Sequence, residues 1–123
     1  MDQGDLESIL PADLKKRAIS SGNELILPYA DALRSITIAN EHQIAILGIE
    51  AIDILPPGRY SFYVSNYTGY DNDIKFAGNW QAYVAANNSE AERWLKAHVL
   101  GDGHGYILTS TSEKEFAALG SKR

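Results

Sequence analysis

The chain has 123 residues, 16 of them acidic and 11 basic, for a formal net charge of -5, and it has no cysteine. That length suits one domain, 1–123, and falls short of two ordinary ones; the missing cysteines exclude disulfides, thiolate metal ligands and cysteine nucleophiles. The acidic balance argues against a phosphate-backbone ligand, which needs clustered Lys and Arg, while 45% hydrophobic residues rule out disorder of the whole chain.

The N-terminal "MDQGDLESIL" starts acidic and lacks a long apolar run, so no signal peptide is expected. "IAILGI" is far too short for a membrane span. A cytoplasmic location is the expectation. The sole basic cluster, Lys15-Lys16-Arg17, reads as a solvated helix face.

A first helix is predicted over Pro11–Ser20, with Pro11 at the first helical position, Gly22 as the stop, and Leu14 and Ala18 on the buried side. Leu6, Ile9 and Leu10 either extend it or form a separate turn. "ELIL" (Glu24–Leu27) reads as a short strand or an extended lead-in. Pro28 then opens a second helix, in which Tyr29, Ala32, Leu33, Ile36 and Ala39 follow the helical period and Asn40 can end it in the left-handed region.

"QIAILGIEAIDIL" (Gln43–Leu55) is the apolar centre, and its isoleucines favour a strand. In strict alternation Ile44, Ile46, Glu50, Ile52 and Ile54 share one face, and Asp53 falls on the other. A bulge at Gly48 would alter this. Pro56-Pro57-Gly58 is a turn signal, and "RYSFYVSNY" after it reads as the second strand of an antiparallel hairpin. "TGYDND" (Thr68–Asp73) reads as a turn or exposed loop.

Further on, Ser89 and Glu92 form a capping-box pattern that predicts a helix start, followed by a stripe of Ala91, Trp94, Leu95 and Val99 and a stop at Gly101. Trp80–Ala86 reads as a shorter helix broken at Asn87-Asn88, or as a strand. Tyr106–Thr111 reads as a strand, and Ser112 caps a final short helix. These elements predict an α+β fold, a small, mainly antiparallel sheet packed against three to five helices. The segment Glu24–Ile54 has a right-handed βαβ unit as its alternative.

Four groups of residues bear on function. Glu50 and Asp53 lie in one apolar run, but a catalytic carboxylate pair must converge, and alternation separates them. His98, Asp102 and His104 in "HVLGDGHG" are metal-ligating types at a spacing that matches no strong motif. The glycines around them follow a helix and precede a strand, the reverse of a phosphate loop. No G-x-S-x-G nucleophile elbow occurs. The unusual feature is tyrosine: Tyr60, Tyr63, Tyr67 and Tyr70 precede Asp71 and Asp73, with Trp80 close behind. Such side chains offer stiff contact area with a polar tip, in a core or at an interface.

"DALRSITIANEHQIAILGIEAIDIL", the tyrosine-rich strand, and "NWQAYVAANNSEAERWLKAHV" together resemble small immunity proteins of bacterial polymorphic-toxin systems, over roughly Asp31–Val99. The shared theme is a "DAL…A" helix, an "AILGIE" strand and W-x-x-Y-V…A-x-x-W-L. The resemblance implies a non-catalytic protein, without cofactor, that binds and neutralises a cognate toxin, with a basic domain as the natural partner of an acidic inhibitor. Contacts are then expected from Glu50, Asp53, Tyr67, Tyr70, Asp71 and Asp73. Monomer and homodimer both remain open, the latter with the aromatic strand at its interface. The alternative is a small-molecule- or metal-binding domain, hydrolytic or not, that uses the 98–104 loop.

Overall fold

The computed structural model describes residues 4–21, 24–55, 59–68, 79–100 and 103–120. Two short helices open it, α1 (Gly4–Ile9) and α2 (Ala12–Arg17). Leu6, Leu10 and Leu14 are all buried; Leu6 and Ile9 lie in the separate helix α1 and Leu10 in the bend after it, so none of them extends α2. Pro11 is the cap before α2, with ψ 151, instead of its first helical residue. The predicted helix to Ser20 stops three residues early. Ala18 is extended, and β1 (Ile19–Ser21) pairs antiparallel with β2 (Glu24–Ile26). β-branched Ile19 and the serines that follow are poor helix formers, and the hairpin gives their backbone other partners.

α3 spans Tyr29–Glu41. Pro28 again precedes the helix, where its missing N–H costs nothing and its carbonyl accepts from the Ala32 N–H at 2.8 Å. Asn40 stays helical, contrary to its predicted left-handed role. Gln43 takes that conformation, with φ 58, and the Ile44 N–H closes back onto the Ala39 carbonyl at 2.8 Å. The Gln43 side chain itself donates to the Asn40 carbonyl, which helps hold the reversal.

β3 (Ala45–Leu55), β4 (Arg59–Thr68) and β5 (His104–Thr111) form an antiparallel sheet in the order β4-β3-β5. The predicted hairpin is thus present; its Pro56–Gly58 turn lies outside the described residues. β2 reaches this sheet only where Leu27 and Tyr106 exchange backbone bonds of 2.8 and 2.9 Å, so no βαβ unit forms.

α4 is one helix of 18 residues, Trp80–Ala97. It neither breaks at Asn87-Asn88 nor starts at Ser89. The cap is Asn79, whose side chain accepts from the Ala82 N–H, and Ser89 is an exposed mid-helix residue. Val99, predicted to continue the buried stripe, lies beyond the helix end and is 56% exposed. The last helix, α5 (Glu113–Gly120), is capped by Ser112 as expected, in the form of a capping box: the Ser112 hydroxyl accepts from the Glu115 N–H, and the Glu115 carboxylate accepts from the Ser112 N–H, each at 3.2 Å.

The main core lies between the sheet and α3 and α4, with α1 and α2 closing it: Leu14, Ile36, Ile46, Ile49, Leu95, Tyr106 and Leu108 are among its members. A second cluster joins Ala45 and Leu47 to Trp80, Tyr83 and Val84, with Phe116 of α5 against the aromatic rings. The fold is α+β, with two small antiparallel sheets and five helices among the described residues. No described helix is long and apolar enough to cross a membrane.

Candidate functional site

The position of Glu50 and Asp53 follows from an irregularity in β3. Against β5, Ile46 is opposite Ser110 and Gly48 is opposite Thr109, so Leu47 is an extra residue. This is the bulge that Gly48 signals. It reverses the alternation: Ile44 and Ile46 enter the main core before it, and Ile49 and Ala51 enter the same core after it. Beyond the bulge the pleat is regular along β5, so Glu50 and Asp53, three residues apart, take opposite faces. Glu50 shares its face with Ile52, which packs with Ile26 and Ile107. Asp53 shares the face of Ala51 and Ile49. The two carboxylates therefore do not converge.

Asp53 has a partner of its own. It sits directly across from His104, and the carboxylate meets Nε2 of the imidazole at 2.8 Å. On the other side, Ser61 of β4 is its register partner. The row Ser61–Asp53–His104 contains the three residue types of a hydrolase triad in the wrong order. In the register Asp53 lies between the two, which puts the backbones of Ser61 and His104 two strand spacings apart, roughly 9–10 Å. A nucleophile needs its base within hydrogen-bond reach.

The histidines of the 98–104 segment are held separately. His98 is the C-cap of α4; its ring stacks on Trp94 at 4.0 Å, and its Nδ1–H donates to the Trp94 carbonyl at 2.7 Å. His104 is engaged by Asp53. Asp102 lies outside the described residues. Among the described residues, no three His, Cys, Asp or Glu side chains gather where they could hold a metal ion.

Between them stands Tyr106, which sequence reading treats only as the start of a strand. Its ring is buried against Tyr29, and its hydroxyl donates to the His98 carbonyl at 2.6 Å and accepts from the Leu100 N–H at 3.2 Å. It ties the end of α4 to the sheet, and burial raises its phenol pKa. A second group with no local signal is Arg17, fourteen residues from Asp31 in sequence. Its guanidinium binds the buried Asp31 carboxylate through two bonds of 2.8 Å and reaches Asp13, which also meets Arg34. The Asp31 contact holds the Arg17 pKa up, and the Arg34 hydrogen bond holds the Asp13 carboxyl below its ordinary value.

Of the predicted contact residues, Glu50 is half-buried, and Tyr67 lies opposite Ile49 in the β3–β4 register. Tyr70, Asp71 and Asp73 lie outside the described residues. The residues that carry the immunity-protein resemblance are mainly core: Ala32, Ala39, Trp80, Tyr83, Val84, Ala91 and Leu95 are buried. Asn88 is buried too, and its amide completes the edge of β3, accepting from the Ile46 N–H at 2.8 Å and donating to the Ile44 carbonyl at 2.9 Å. Comparison with protein-family models, curated proteins and solved structures finds no match for the chain.

Proposed function

We propose that this protein is a non-catalytic binding module, an immunity protein that neutralises a cognate toxin through a basic domain of that toxin. The observation that carries the reading is the register of the β3–β4 ribbon. Thr68 lies opposite Gly48, and Asn66 lies opposite Glu50. Half-buried Glu50 is therefore beside the end of β4 that leads into Tyr70, Asp71 and Asp73, all within five residues of Thr68 along the chain. Acidic and aromatic residues close together in sequence suit a cationic protein surface: the rings supply contact area and the carboxylates supply steering. A net charge of -5 favours the same encounter. Asp53 is at the other end of the ribbon, on the opposite face and paired with His104, and belongs outside this surface.

The test is co-expression with the product of the adjacent gene, scoring host growth and co-purification. A neighbour that is toxic alone, and that is both neutralised and captured by this chain, supports the reading. A neighbour that is harmless, or that stays toxic and unbound, overturns it for that pair.

A further inference from the structure

We draw no further inference here: the strongest candidate, the cleft between α3 and α4 bordered by Thr37, Asn40, Ser89 and Glu92, carries nothing because its one deeply buried polar side chain, Asn88, already commits its amide to the backbone of β3 and nothing in the structure shows what covers the cleft.

Discussion

Tyr106 and Asn88 each join segments that are distant in sequence through a few polar atoms. Tyr106→Phe keeps the ring on Tyr29 but removes the bridge between the His98 carbonyl and the Leu100 N–H. The expected loss is about 1–3 kcal/mol, from groups left without a partner, read as a lower urea midpoint at an unchanged slope. The pH dependence has a definite sign. The folded phenol pKa is raised by burial, so its contribution is fully present below the unfolded value near 10 and is lost as pH rises through the folded value. Stability measured between pH 8 and 11 should therefore fall more steeply in the parent than in Tyr106→Phe. Parallel curves would show that the hydroxyl is not linked to folding. Asn88→Ala strips partners from two backbone groups of β3, at about 1–3 kcal/mol for each group left buried and unpaired. Asn88→Asp should do no better: it can still accept from Ile46, but it sets a carboxylate against the Ile44 carbonyl. Equal stability of Asn88→Asp and the parent, in the same urea assay, would rule out the donor half of this arrangement. Asn88 was not legible because asparagine after asparagine reads locally as a helix break, and the benefit comes from a strand 42 residues away.

Where sequence patterns and elements disagree, a neighbouring strand usually decides. The helical pattern over 11–20 yields to the β1–β2 hairpin, and the Ser89 capping box lies idle in the middle of α4. The bulge in β3 was partly legible, since an isolated glycine in an apolar strand is its usual mark, but which core each side chain enters required the register with β5. The crossing of β5 by the 19–27 segment is tightest at Gly105, where an added Cβ would run into Cγ2 of Ile26. Gly105→Ala should cost about 1–3 kcal/mol by overpacking. Combined with Ile26→Ala, which removes the obstructing methyl, the loss should be smaller than the sum of the two single losses. A double-mutant cycle by urea unfolding checks this, and strict additivity would place the strain elsewhere.

Charge ties the outer helices together and governs the proposed encounter. Asp13 joins α2 to α3 through Arg34 and pairs with Arg17 one turn along α2. Its folded pKa is lowered, first by the Arg34 hydrogen bond, so its contribution is present above the unfolded value near 3.9 and is lost as pH falls through the folded value. Asp13→Asn should flatten the loss of thermal midpoint between pH 5 and 2, and an unchanged acid profile would assign that loss to other carboxylates. Under the proposed function, reversing Asp71 and Asp73 to lysine should raise Kd for a cognate toxin by about tenfold, near 1.4 kcal/mol, mainly through slower association at low salt, while Asp53→Asn should leave Kd unchanged. Calorimetry or surface plasmon resonance distinguishes the two. The helix after Pro28, the β3–β4 hairpin, the strand β5 and the α+β class were readable because burial repeats along each segment with the period of its own backbone. The pairing of Leu27 with Tyr106, the Arg17–Asp31 ion pair, the Asp53–His104 contact and the continuity of α4 were not. Each depends on two segments brought together by closure of the chain, and local propensity carries no information about which partner arrives.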